Sequence, residues 1–201
     1  MTQDYFGEIT RSNERVISLV SDLLSVSRID QGRVKNTPKL VDISEIVTDI
    51  VKQMQIPARS KEITLRLTMK QQKLPVINID LIRLREVVEN LIANAIEYTK
   101  TGGNVDVVMG KDNGDILLSV KDTGIGISSA DLKKVFTKFF RSEKAVAQNP
   151  EGSGLGLYVV KSYVEGWGGK VSIESVDGKG STFSISLPIK GVNQKEGVIN
   201  I

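Results

Sequence analysis

Asn90 and Asn94 stand four residues apart in Glu89-Asn90-Leu91-Ile92-Ala93-Asn94-Ala95, so a helix here projects both amides from one face. Leu91, Ile92 and Ala95 turn toward a core. Two amide oxygens on one face could ligate Mg²⁺ while the ion bridges phosphates; a solvated polar helix face is the plainer alternative. In Asp122-Thr123-Gly124-Ile125-Gly126-Ile127, two glycines let backbone approach a flat ligand. The carboxylate there could accept a hydrogen bond from an exocyclic amine, or the segment is an ordinary strand-to-helix turn. Gly152-Ser153-Gly154-Leu155-Gly156-Leu157 opens a helix whose free N–H groups suit an anionic phosphate, or it is a hinge. Lys138-Phe139-Phe140-Arg141 supplies cations that could reach terminal phosphates, or that merely favour a helix C-terminus.

The composition narrows this chemistry. The 201 residues contain no cysteine and no histidine, which excludes disulfides, thiolate and imidazole metal sites, and triads that need a histidine base. A metal here would be a hard ion held by oxygens. With 40% hydrophobic and 25% charged residues, the chain has the make-up of a soluble globular protein. A net charge of +3 with 5% aromatic residues gives no electrostatic case for nucleic acid. No apolar stretch of membrane-spanning length or signal peptide is visible. Neither GxxxxGK[ST] nor a GxGxxG after a strand occurs, which disfavours phosphate-loop and dinucleotide-binding folds. A eukaryotic-type protein kinase is excluded by its missing histidine-arginine-aspartate loop.

The elements that must position these residues follow from periodicity. Residues 4–31 carry Ile9, Val16 and Leu23 seven apart, with Ile17, Val20 and Leu24 beside them. That is a bundle or coiled-coil stripe, expected to dimerise, with packing back on the main domain as the alternative. Asn36-Thr37-Pro38 reads as a linker. Strands are expected at 39–42, 63–67, 76–79, 105–109, 116–121, 170–175 and 182–187. Asp42 with Glu45 forms a capping box for a helix carrying Ile46, Val47, Ile50, Val51 and Met54. Asp80 caps a helix running to Tyr98. Helices are also expected over 129–139 and 155–166, with Ser142–Gly154 an irregular lid and 191–201 a loose tail. Recurrent hairpin signals favour a mixed sheet with helices on one face.

In combination and order, these patches resemble the catalytic domain of bacterial sensor histidine kinases. Asn90–Asn94 resembles the N box, Asp122–Gly126 the G1 box, Val135–Arg141 the F box, Gly152–Leu157 the G2 box, and Gly180-Ser181-Thr182-Phe183 the final glycine motif. The likeness spans residues 4–190. It implies an α+β, Bergerat-type α/β sandwich, shared with gyrase, Hsp90 and MutL ATPases, preceded by a long amphipathic helix. It further implies ATP and Mg²⁺, with the metal on Asn90 and Asn94 and adenine on Asp122. The implied nucleotide site also takes in Tyr98, Gly124, Gly126, Ile127, Lys138, Phe139, Arg141, Gly152, Gly154, Leu155, Gly156, Leu157 and Ser181. A carboxylate beside the N box, drawn from Glu86, Glu89 and Glu97, would take the imidazole proton; Glu89 is the residue adopted here.

Residues 4–33 resemble the second helix of the family's dimerisation and phosphoacceptor hairpin. The expected division is therefore 1–35 for that helix, 36–190 for the ATP-binding domain and 191–201 for the tail. The helix that would carry the phosphoacceptor histidine is absent, so this chain cannot phosphorylate itself, and it reads as a fragment beginning inside the hairpin. Expected partners are ATP, a histidine-bearing hairpin, a response regulator and a second copy through residues 4–31, in the cytoplasm, with any membrane anchor upstream of Met1. The family usually has lysine or arginine where this chain has Glu97, a charge that would repel phosphate if it faced the site. The rival readings are a non-catalytic module of the same fold, and a Bergerat-type ATPase or serine kinase.

Overall fold

The computed structural model describes residues 5–189 and 197–199. Five strands form the main sheet: β3 (Thr64–Met69), β5 (Asn104–Asp112), β6 (Asp115–Asp122), β7 (Lys170–Val176) and β8 (Gly180–Pro188), in the order β3-β5-β6-β8-β7. Only β3 and β5 run parallel; the other pairs are antiparallel. Two small antiparallel pairs flank it: β1 (Val34–Asn36) with β9 (Gly197–Ile199), and β2 (Lys39–Val41) with β4 (Ile77–Ile79).

Burial alternates along β5, β6 and β8, so one sheet face is lined by Val105, Val107, Met109, Ile116, Leu118, Val120, Ile185 and Leu187. Three helices cover that face: α2 (Ile43–Ser60), α3 (Leu81–Tyr98) and α5 (Gly156–Gly166). Helix α3 lies centrally, with Leu84, Val87, Val88, Leu91 and Ile92 all fully buried. This is the expected mixed sheet with helices on one face.

Asp80 fixes where α3 begins. Its Oδ1 accepts from the N–H groups of Ile82 and Arg83, while Oδ2 accepts from the Thr37 N–H and hydroxyl. The cap thus satisfies orphan donors of the first turn and ties the helix to the segment after β1. At the other end, the Lys61 ammonium donates to the Ile96 carbonyl at 3.0 Å and to that of Glu97, a cation where the helix dipole favours one. Asp42 caps α2 by accepting from Ser44 N–H.

Several elements differ from expectation. Residues 129–139 form successive turns, with Lys134 N–H on Asp131 O and Thr137 N–H on Lys134 O, because both flanks are tied elsewhere. Ile127 N–H donates to Ser175 Oγ and Phe139 N–H to Gly154 O. Within the lid, Ser142 caps a short helix, α4 (Glu143–Gln148). The linker residue Asn36 ends a strand, and Gly197–Ile199 of the expected tail pairs with it; residues 190–196, 200 and 201 lie outside the described residues.

The N-terminal helix α1 (Tyr5–Asp30) divides into two parts. Ser25, Val26 and Ile29 are buried against the domain, and Ser25 hydrogen-bonds Tyr163 of α5. Ile9, Val16, Ile17, Val20, Leu23 and Leu24 are at least half exposed. Among the described residues of α1, those buried against the main domain thus lie in its last two turns. Trp167, stacked on Tyr163 and 1% exposed, plugs the turn after α5.

Candidate nucleotide site

A cavity of about 730 Å³ lies between α3, the end of β6, the 142–154 lid and the start of α5, with α1 closing one side. Asn90 and Asn94 line it from α3, followed one turn on by Glu97 and Tyr98. The fourfold spacing does what it promised and puts both amides on one wall. Asn90 Oδ1 lies where α5 begins: a Cβ on Gly156 would sit 2.7 Å from it. The bare glycine is what gives the amide its place.

Asp122 ends β6 and is 5% exposed. Its Oδ1 accepts from Gly124 N–H at 2.8 Å and Ser181 N–H at 3.2 Å, and Oδ2 is left for a donor in the cavity. Burial pushes the carboxyl above its ordinary range, opposed by those two backbone hydrogen bonds. The turn that follows needs its glycines. A Cβ on Gly124 would lie 2.2 Å from Tyr98 O, and Gly126, at φ +64°, lies against Val176 O. Ile125 N–H donates to Tyr98 O and Gly178 N–H to Ile125 O, which sews this turn to the end of α3 and to the β7–β8 hairpin.

Ser181 lines the same wall. Its hydroxyl lies 2.9 Å from Ser175 Oγ, which donates to Gly180 O and accepts from Ile127 N–H. Since Ser175 has a single proton, Ser181 must donate to it. Ser181 therefore offers the cavity lone pairs.

Of the expected residues, the cavity unites Asn90, Asn94, Tyr98, Asp122, Gly126, Ile127, Arg141, Gly152, Gly154, Gly156, Leu157 and Ser181. Gly124 and Leu155 sit just behind the wall, buried. Four of the residues weighed are placed elsewhere. Glu89 pairs with Arg85 at 3.5 Å, and Glu86 pairs with Arg83 at 3.0 Å; of the three acids weighed as proton acceptors, only Glu97 faces the cavity. Lys138 is held by both oxygens of Asp30 at 2.5 and 2.6 Å, with its ammonium 4.8 Å from the Tyr158 ring centroid. Phe139 is 63% exposed at φ +61°.

Sequence reading missed the contribution of α1. Ser12, Leu19 and Asp22 line the cavity, and Asp22 Oδ2 accepts from Ser153 Oγ at 2.8 Å. The two residues are 131 positions apart, so no local pattern could have paired them. Four acids line the cavity, Asp22, Glu97, Asp122 and Glu151, against one base, Arg141. Among the described residues no cluster of three or more acidic side chains is arranged to hold a metal ion; the oxygens suited to one are the neutral amides of Asn90 and Asn94. Nor is any described helix long and apolar enough to cross a membrane.

This sandwich, with amides on a central helix, a buried aspartate at a strand end and a glycine-bounded lid, defines an ATP-binding domain of the Bergerat class. A family model described as histidine kinase-, DNA gyrase B- and HSP90-like ATPase matches residues 79–191, more than half of the chain, and the chain belongs to that family. Sensor protein GacS of Pseudomonas syringae pv. syringae is 31% identical over 203 residues, covering 98% of this chain and 22% of the relative. Sensor histidine kinase WalK of Bacillus subtilis is 32% identical over 179 residues, covering 88% and 29%. The crystal structure of full-length ShkA in complex with AMPPNP superposes with a TM-score of 0.79 at 27% identity, covering 92% of this chain and 38% of that one. The chain thus spans less than a third of the curated relatives it resembles.

Proposed function

We propose that this chain binds Mg-ATP between α3 and the lid and delivers the γ-phosphoryl to a histidine supplied by another helix, as part of a two-component signalling kinase. The observation that carries this reading is the convergence, in one cavity, of Asn90, Asn94, Asp122, Gly126 and Ser181 from three separate segments. Adenine would donate its exocyclic amine to Asp122 Oδ2, with Ser181 accepting from adenine-side water. Asn90 and Asn94 fit a hard divalent cation, because their oxygens are neutral, face one way and border the cradle left by Gly156. That ion would neutralise charge on the phosphates.

The transfer forms a bond between an imidazole nitrogen and the γ-phosphorus, breaks the bond from that phosphorus to the bridging oxygen, and releases ADP with the electron pair. The imidazole proton leaves to a nearby acceptor. The residues of this chain mainly hold the nucleotide in line and exclude water. With no histidine in the sequence, the acceptor must come from outside it.

The likeness to sensor kinases supports the rest of the assignment: 1–35 as the second hairpin helix, 36–190 as the ATP-binding domain and 191–201 as a tail. It also supports a response regulator as the downstream partner. The exposed Ile9–Leu24 stripe supports pairing with a second copy or a hairpin helix, since an apolar face of this length needs a cover.

The test is a calorimetric titration with Mg-ADP and Mg-ATP, followed by incubation of the ATP complex with a histidine-bearing hairpin in trans. Saturable binding and phosphohistidine on the hairpin are expected. Binding without phosphohistidine would remove the kinase reading and leave a nucleotide-binding module.

A further inference from the structure

We propose that β1 is a strand-addition site at the hinge of α1, and that residues 197–199 fill it as a strap that holds α1 over the cavity. β1 is three residues long, and among the described residues β9 is the strand it pairs with. The ladder is antiparallel, with Val34 opposite Ile199, Lys35 opposite Val198 and Asn36 opposite Gly197. Val34 and Asn36 are buried, while Lys35 between them is exposed. The backbone polar groups of so enclosed a strand need partners, and β9 covers the open edge. What fits there is an extended antiparallel segment, held mainly by its main chain.

The chain passes from α1 to the main domain through β1, and both ends of β1 are tied. At the α1 end, Gly32 at φ +59° stops the helix; its N–H donates to Ile29 O at 2.9 Å and the Arg33 N–H to Arg28 O at 2.8 Å. This is a Schellman turn, so the last turn of α1 and β1 move as one piece. At the other end, Thr37 donates its N–H and its hydroxyl to the Asp80 carboxylate that caps α3. The hinge is thus braced along the chain, and β9 braces it from the side. The lever is long. Ser12 and Leu19 line the cavity, and at 1.5 Å per residue Ser12 lies about 27 Å up the helix from Asp30. A rotation of about 10° at β1 would carry Ser12 roughly 5 Å from its place. Ser25, Val26 and Ile29 pack close to the pivot, where they oppose such a tilt with little leverage.

The chain contains no cysteine, so introduced pairs report cleanly. Lys35→Cys with Val198→Cys, opposite each other in the ladder, should close a disulfide under mild oxidation. Lys35→Cys with Ile199→Cys, one place out of register, should close far more slowly. Equal yields, or none from either pair, overturn the proposal. The work of the strap is read in the variant Val198→Pro/Ile199→Pro. Successive N–H groups of a strand point to opposite edges, so two adjacent prolines always remove one that faces β1. Amides of residues 34–36 should then exchange about tenfold faster or more, with those of β5 and β6 unchanged. Spin labels on Asn13→Cys and Lys111→Cys, both exposed positions, report the seating of α1, with labelled protein diluted into unlabelled. The distance distribution should be narrow with β9 intact and broad with the prolines. Unchanged exchange at 34–36, or an unchanged distribution, overturns the proposal. Should the proline variant fail to fold, the in-register cysteine pair decides: amides of residues 24–31 should exchange more slowly in the closed form than in the reduced one, and equal rates overturn the strap. No readout involves a nucleotide, so failure of the function proposed above leaves this test standing.

Discussion

The Asp30 carboxylate receives the Lys138 ammonium at 2.5 and 2.6 Å and the Tyr158 hydroxyl at 2.9 Å. It thereby joins the last residue of α1 to the segment before the lid. The hydrogen bond from Lys138, then that from Tyr158, holds the Asp30 carboxyl below its ordinary value of 3.8. A depressed carboxylate value contributes stability present above the unfolded value and lost as pH falls through the folded one. The clasp should therefore persist at neutral pH and open only in strong acid. Asp30→Asn should open it at neutral pH, with faster amide exchange over residues 24–31. Because the pair is partly exposed, with side chains 41% and 34% accessible, the melting temperature should hardly move. Unaltered exchange would mean that Val26 and Ile29 dock α1 without the clasp.

Asp122 has the opposite displacement. Burial raises its carboxyl, so the folded protein takes up a proton there more readily than the unfolded chain. Its contribution to stability is then present below the unfolded value and lost as pH rises through the folded one, which makes the ionised carboxylate a net cost at neutral pH. Asp122→Asn should leave the melting temperature of the nucleotide-free protein equal or higher. The same variant should weaken ADP binding by tenfold to a hundredfold, taking about 1.5–3 kcal/mol for a hydrogen bond to a charged group. Acidification of the wild type should reproduce part of that loss at a pH above the ordinary carboxylate range. A variant that melts early and binds normally would contradict both halves.

Much of this was legible in the sequence because it is local. Asp80 as a cap, Asn90 and Asn94 on one helix face, and the turn after β5 each depend on residues within one or two turns of chain. Asn113 and Gly114, at φ +47° and +93°, supply the two positive angles that a tight hairpin needs. What escaped is long-range. The side chains of Asp22 and Ser153 meet across the whole chain, and Lys138 turns to Asp30, 108 residues away, away from the nucleotide wall. The helical pattern over 129–139 lost to tertiary ties at both ends. The strand at Gly197–Ile199 had no signal, since three residues carry no periodicity.

Glu97 faces the cavity together with Asp22, Asp122 and Glu151, opposite a single arginine, Arg141. A triphosphate entering this wall meets like charge unless a divalent cation accompanies it. Glu97→Lys should therefore raise ATP affinity, by about tenfold without added Mg²⁺ and by less with it, since metal already screens the phosphates. AMP, with less charge, should gain least. Calorimetry in chelator and in Mg²⁺ separates these cases. Equal ATP affinity for the two proteins in chelator would show that the Glu97 carboxylate does not face the phosphates.

Gly156 offers a test of the amide pair that leaves both asparagines in place. A Cβ at this position would lie 2.7 Å from Asn90 Oδ1 and 3.3 Å from Asn90 Cγ, so alanine must rotate the amide away. The cost to the fold is small because the displaced atom ends a side chain, and alanine favours the helix that starts here. Gly156→Ala should accordingly melt at or slightly above the wild-type temperature. If Asn90 and Asn94 hold Mg²⁺ as a pair, the variant should bind ADP in chelator as the wild type does and lose the gain that Mg²⁺ brings. Tenfold or more is the size expected for a displaced ligand, about 1.4 kcal/mol. Retention of the full Mg²⁺ effect would detach the metal from Asn90 and leave Asn94 with another partner.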